Sequence, residues 1–254
     1  MPRSAAQSAR LASLAPLPLC LPLPALAPAA DRLLDSPAVS VLLLAALSLA
    51  SFGLVMLTSF VKVAVVLSVL RSAMGTPQIP PTMVITGFAL VLSAYIMSPV
   101  IREGARRAEP GVARLQEGRG TSTEQASELI AVGRQAAEPL RDFLAKHAHA
   151  RDRQTFLEMA RRLSGPKDKS RIGPADFQVL IPAFLTSELK EAFLIGFFLF
   201  VPFLVIDLVV ANILLALGMH MLSPTTISLP FKFLLFVLAD GWYLLTRGLV
   251  AGYQ

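Results

Sequence analysis

The sequence predicts an all-α, membrane-associated fold: two long apolar helical hairpins flanking a mainly helical polar insert. Three observations carry this. The 254 residues are 54% hydrophobic and 16% charged, with a mean hydropathy of +0.63, whereas a soluble domain carries about 25% charged residues. Charge is also concentrated, with 16 basic and 13 acidic residues lying between Arg102 and Glu191. The flanking stretches are long enough to cross a bilayer, which takes about 20 apolar residues. A segment surrounded by lipid must be helical, because no water satisfies an open backbone there.

The net charge of +6 is no nucleic-acid footprint. Its basic residues are interleaved with acids, and no aromatic-studded basic stripe exists; a solvated mixed-charge surface is expected. Cys20 is the single cysteine, which excludes an intrachain disulfide and CxxC-type zinc sites.

Residues 1–35 read as a leader. Arg3, Arg10, a Leu/Pro/Ala run and "ALAPAA" fit a secretory signal with a small-residue cleavage site. Pro16, Pro18, Pro22 and Pro24 suit a helical signal core poorly, and a disordered leader fits them as well. Residues 36–101 form the first hairpin. Its first arm is uncharged from Ser36 to Val61, interrupted by Lys62, and apolar again to Leu70. Gly75, Pro77, Pro80 and Pro81 in "GTPQIPP" make a rigid, non-helical turn, and Thr82 to Val100 is the second arm.

Residues 102–191 form the polar insert. Leu140, Phe143 and Leu144, and then Phe156, Leu157 and Met159, lie at helical spacings. "GRGTST" and "SGPKDKSRIGP" read as loops. Ser187 is expected to cap a helix beginning at "ELKEAF". His147 and His149 sit two residues apart, on different faces of a helix, and are expected in solvent. Residues 192–254 form the second hairpin: one arm is broken only by Asp207, the other contains Lys232, Asp240 and Arg247. Met219, His220 and Met221 lie at the tip. Charge does not orient the insert, because long loops translocate largely regardless of it; a signal would place the insert outside the cytoplasm.

Lys62, Asp207, Lys232 and Asp240 stand in otherwise apolar sequence. Each costs about 2.5–3.5 kcal/mol at a helix centre, so each should face protein or water and find a partner. Mutual pairing is the plain expectation. Asp207 and Asp240 sharing a proton would instead suit an intramembrane aspartyl protease, but "VIDLVV" and "LADGWY" lack the Gly-x-Gly-Asp context. A proton- or ion-coupled transporter centred on Asp207 is a further alternative. Met219, His220 and Met221 are soft ligands suited to Cu(I), yet consecutive residues do not converge on one ion, so no metal is expected. No phosphate loop, nucleophile elbow or HExxH helix is present in the sequence. The expectation is a protein without enzymatic activity or cofactor.

"TSFVKV", "LRSAMGTPQIPP", "TSELKEAF", "PFLVIDLVV", "LPFK" and "DGW", in this order, closely resemble one family. It is the inner-membrane export-apparatus protein of bacterial type III secretion, SctR in injectisomes and FliP in flagella. "HMLSPTTISLPFK" looks more like the injectisome branch. The resemblance implies a core subunit of an export gate, with unfolded proteins passing through the channel. It implies a homo-oligomer of five copies joined by SctS-like and SctT-like proteins, near SctU-like and SctV-like components. It places the chain in the bacterial inner membrane, against lipid and sister subunits, with the insert periplasmic and some apolar helices lifted out of the bilayer plane. Lys62, Asp207, Lys232 and Asp240 become candidate assembly charges. The Gly75, Pro77, Pro80 and Pro81 turn shapes a contact between subunits.

In that family the second-hairpin tip carries a methionine cluster that rings the channel as a gasket. Met219 and Met221 match it, and His220 departs from the commoner third methionine. The chemistry fits: thioether side chains are flexible and polarizable, and a hydrophobic constriction excludes water by dewetting. An imidazole, which ordinarily titrates near 6.5, makes such a seal more polar.

Overall fold

The computed structural model describes residues 55–76, 80–116, 122–165 and 172–254, with the single positions 41, 45, 48 and 53. The leader and Pro77 lie outside the described residues. The chain divides into two compact units, residues 1–49 and 50–254. The first is described only at Val41, Ala45 and Ser48, each helical. The rest concerns the second.

Helical residues at 53, 55 and 56 give way to a bend at 57–59. Its hydroxyls fasten it: Ser59 Oγ donates to Ser93 Oγ at 3.2 Å, and Ser93 Oγ donates to Thr58 Oγ1 at 3.1 Å. Seven helices follow: α1 (Phe60–Ala73), α2 (Thr82–Gln116), α3 (Ser122–His147), α4 (Ala150–Leu163), α5 (Phe177–Ala216), α6 (Pro224–Leu238) and α7 (Gly241–Ala251). No strand occurs among the described residues, in agreement with the all-α expectation.

Two helices organise the rest. α2 has 35 residues and α5 has 40, which at about 1.5 Å per residue gives roughly 50 and 60 Å. Both exceed the bilayer's hydrocarbon core of about 30 Å, so each has length to spare outside it. α2 carries the first hairpin's second arm into the insert without a break at 101. α5 starts in the insert and runs through 191 to the second-hairpin tip. Internal prolines (Pro99 and Pro110 in α2, Pro182 and Pro202 in α5) do not end either helix.

Thr82–Leu115 and Phe177–Ala216 are each long and apolar enough to cross a membrane. α6 and α7 qualify only together, as a pair bent by 60°. α1 has 14 residues, too short to span alone, because the bend at 57–59 separates it from the apolar sequence before it.

α1 lies in the core between α2 and α5. Val63, Val66, Leu67 and Leu70 pack with Ala89 and Leu92 of α2, Phe143 and Leu144 of α3, and Leu180, Ala183 and Phe184 of α5. α3 and α4 lie against the insert ends of α2 and α5. Ser187 is not a helix cap. The helix around it begins ten positions earlier, at Phe177, and Ser187 is fully buried in mid-helix. The apolar run "FQVLIPAFL" continues the period of α5 upstream, and it outweighs the local capping pattern.

Candidate functional site

The second-hairpin tip is set by a glycine. α5 ends with Leu217 as its last half-helical residue, and Gly218 turns to φ 72°. Met219 N–H then reaches back to Leu214 O at 2.9 Å, and Gly218 N–H to Leu215 O at 3.1 Å. This pairing satisfies carbonyls that a helix end otherwise orphans. A side chain at 218 would strain the left-handed backbone. Ser223 and Pro224 then start α6, proline standing where its missing N–H costs nothing.

Between these fixed ends the side chains face outward. Met221 is 99% exposed and Met219 47%, and His220 is also exposed. Among the described residues, no hydrogen bond or ion pair engages these side chains. The turn is held by backbone bonds, which leaves its thioethers exposed among the described residues.

Behind the tip, Asp207 and Lys232, two of the four charges expected to pair mutually, form an ion pair with each other. Lys232 Nζ lies 2.6 Å from Asp207 Oδ2 and donates to Ala73 O at 3.2 Å. Ser228 Oγ donates to Asp207 Oδ1 at 2.5 Å. The Lys232 side chain is 2% exposed and that of Asp207 23%. Lys232 thus ties α6 to α5 and to the C-terminal end of α1, where a cation complements the helix dipole. Gly75, at φ 78°, begins the first-hairpin turn beside it; a Cβ there would stand 3.5 Å from Nζ. Pro81 O accepts from Val84 and Ile85 N–H, opening α2. Pro80 is half-buried and Pro81 exposed. Arg71 Nη1 closes the turn on Thr82 Oγ1 at 2.8 Å.

Among the described residues, Asp240 has no ion-pair partner. It is exposed, and its backbone makes the elbow between α6 and α7. It adopts φ 49°, donates its N–H to Val237 O and accepts from Leu244 N–H. Aspartate tolerates the left-handed region better than most residues. Gly241 follows because a Cβ there would come within 2.3 Å of the Phe236 ring. Trp242 then stands edge-on to Phe236 and Phe88, at 5.3 and 5.9 Å. The "DGW" motif is therefore a bend. No hydrogen bond joins Asp207 to Asp240 among the described residues, so they do not share a proton.

Lys62 finds its partners in "TSELKEAF". Its Nζ lies 3.3 Å from Glu188 Oε1 and 2.7 Å from Glu191 Oε2, with a side chain 3% exposed. The ammonium also stands 4.1 Å from the Tyr253 ring centre, and the Tyr253 hydroxyl donates to Glu188 Oε2. Glu191 Oε1 meets His149 Nε2 at 2.8 Å. His149 N–H donates to Ser187 Oγ at 2.9 Å, and Ser187 Oγ donates to Asp152 Oδ2 at 2.9 Å. Lys190 Nζ closes the network on Asp152 Oδ1 at 2.5 Å. Four segments meet here: α1, the α3–α4 joint, α5 and the residues after α7.

The network shifts its own titrations. The Lys190 hydrogen bond holds the Asp152 carboxyl below its ordinary value, although burial works the other way. Burial, then the Glu188 carboxylate, pushes the Tyr253 phenol up. His147, packed against Phe143 and Tyr253, is brought down to about 4, first by burial and then by the Lys146 and Lys62 ammonium groups. Glu188 and Glu191 fall at the end of the densely charged insert in sequence. Their spacing of three, on the same face as Phe184, was the available signal. Nothing in sequence marked Asp152 or Tyr253.

The fold and site define a helical membrane protein. Buried ion pairs fix its helices, and its methionine tip is exposed among the described residues. Residues 43–249 match the FliP family, and the chain belongs to that family. It is 41% identical to the hypersensitivity response secretion protein HrcR of Ralstonia nicotianae, over 82% of this chain and 94% of that protein. It is 45% identical to the Yop proteins translocation protein R of Yersinia pestis, over 84% of this chain and 94% of that protein. It is 43% identical to the flagellar biosynthetic protein FliP of Pectobacterium carotovorum, over 84% of this chain and 78% of that protein.

Proposed function

We propose that this chain is a core subunit of a type III secretion export gate, carrying no enzymatic activity of its own. Five copies, with SctS-like and SctT-like proteins and near SctU-like and SctV-like components, surround a channel in the bacterial inner membrane. Unfolded proteins pass through it. The insert stands on the periplasmic side. Met219, His220 and Met221 of each copy line the narrowest ring, and the Gly75, Pro77, Pro80 and Pro81 turn lies against a sister subunit.

The observation that carries this reading is Met221, 99% exposed on a turn held by its own backbone bonds. A large apolar side chain so presented, in a chain of this family, suits a deformable seal made between subunits. Family membership and relatives named for secretion and translocation support the wider role. Identities of 41–45% to those relatives and 43% to the flagellar one do not separate the branches; "HMLSPTTISLPFK" favours the injectisome. Asp207, already engaged by Lys232 and Ser228, gives a transporter centred on it no support.

Native mass spectrometry of the detergent-extracted chain, alone and co-expressed with SctS-like and SctT-like neighbours, tests the proposal. A discrete multimer that gains both partners is expected. A monomer or dimer that ignores them would overturn it.

A further inference from the structure

The Lys62 network is rich in carboxyl groups. Three carboxylates (Asp152, Glu188 and Glu191) face two ammonium groups, Lys62 and Lys190. The remaining polar ring in the cluster is His149, at the joint between α3 and α4. Its Nε2 lies 2.8 Å from Glu191 Oε1, and its Nδ1 lies 3.8 Å from Asp152 Oδ2. A neutral imidazole has a single N–H. Spent on Glu191, it leaves the bare Nδ1 lone pair 3.8 Å from the Asp152 carboxylate, which is repulsive. A proton on Nδ1 makes that contact attractive.

We propose that His149 is a proton-operated clamp. Its imidazolium bridges Glu191 on α5 and Asp152 on α4, and holds the α3–α4 joint against α5. Glu191 Oε2 grips Lys62, so the protonation state is felt at α1 as well. The clamp does not depend on the chain forming an export gate.

Among the described residues, the charged groups paired around the ring are Asp152, Glu188, Glu191, Lys62 and Lys190. Asp152 stays ionised because Lys190 holds its carboxyl down. Lys62, Glu188, Lys190 and Glu191 supply the fixed pairs around it. The Tyr253 phenol is pushed up and does not ionise in the ordinary range. His147, two residues away and beside Lys146, is brought down to about 4. It is neutral in the fold while an unfolded imidazole takes a proton near 6.5, so His147 opposes the clamp as pH falls. The chain has three histidines, and the third, His220, lies at the hairpin tip.

Because His147 pulls the other way, the clamp is read as a difference between variants at each pH. Melting temperatures of the full chain in detergent are measured at pH 5.5 and pH 8 for the unsubstituted protein, His149→Gln and His149→Lys. Glutamine keeps a neutral N–H donor for Glu191, so its deficit should be small at pH 8 and larger by about 2–4 °C at pH 5.5, a shift typical of one modest interaction in a chain this size. Lysine carries the positive charge at both values, so its standing relative to the unsubstituted protein should improve at pH 8. If His149→Gln fails to accumulate, the lysine variant decides alone. A gap independent of pH in whichever variant accumulates would overturn the clamp. His220→Gln should leave the pH response unchanged.

Discussion

Removing the two partners of the Asp207–Lys232 pair should not cost the same, because they are not equally buried. Lys232 is 2% exposed and Asp207 23%. Asp207→Asn leaves the buried ammonium with the Ala73 carbonyl and a neutral amide oxygen. Breaking a buried pair from one side costs about 3–5 kcal/mol, and this variant should fall in that range. Lys232→Met leaves Asp207 with the Ser228 hydroxyl and part of its surface open in detergent. The penalty for an incompletely satisfied group, about 1–3 kcal/mol, then applies. Carrying both substitutions removes both charges, and the double variant should cost about 2 kcal/mol less than the sum of the singles. For a chain of this size 1 kcal/mol moves the melting temperature by about 2–4 °C, so the order of the three variants is readable by scanning fluorimetry in detergent. A lysine variant as unstable as the asparagine variant, or strictly additive effects, would refute the burial asymmetry.

Gly241→Ala should destabilise the α6–α7 elbow, because its Cβ would arrive 2.3 Å from the Phe236 ring; a changed emission of Trp242, the single tryptophan, would report the shift. At the neighbouring position, Asp240→Gly should stay within about 0.5 kcal/mol, whereas Asp240→Val, β-branched at φ 49°, should cost about 1–3 kcal/mol, checked by the same melts. His147→Asn should remove an acid sensitivity. With the folded imidazole at about 4 and the unfolded one near 6.5, the contribution of His147 is fully present above 6.5 and lost as pH falls toward 4. A melt series across that window checks it. Met219→Ala with Met221→Ala should leave stability within about 0.5 kcal/mol, as for other exposed positions, while making the assembled channel leak ions, measured as conductance in planar bilayers.

The helices were legible in sequence because lipid allows little else, and Asp207 and Lys232 were legible as charges needing partners, though not as each other's, because isolated charges in apolar arms must find them. Lys62 was legible as a residue needing a partner, but its partners were not. Glu188 and Glu191 lie in the densely charged insert, where a carboxylate is unremarkable. Only the uninterrupted length of α5 carries them back beside α1. Asp240 is a different case: its charge stands out in an apolar arm, while the fold shows its backbone in the left-handed region before a glycine that lies against Phe236. The place of Ser187 in mid-helix was hidden by a capping pattern that the apolar period upstream overrides. The methionine tip needed both kinds of information: sequence showed its composition, and only the fold shows that Gly218 and backbone bonds hold it with the side chains outward.

The central claim is that the second-hairpin tip lines the path of exported protein. A photo-crosslinking amino acid placed at Met221 in the assembled apparatus, with a secretion substrate arrested in transit, tests this most directly. Adducts to the arrested substrate, absent when the substrate is not expressed, are the predicted result. Adducts confined to lipid or to components outside the channel, with substrate demonstrably engaged, would contradict it.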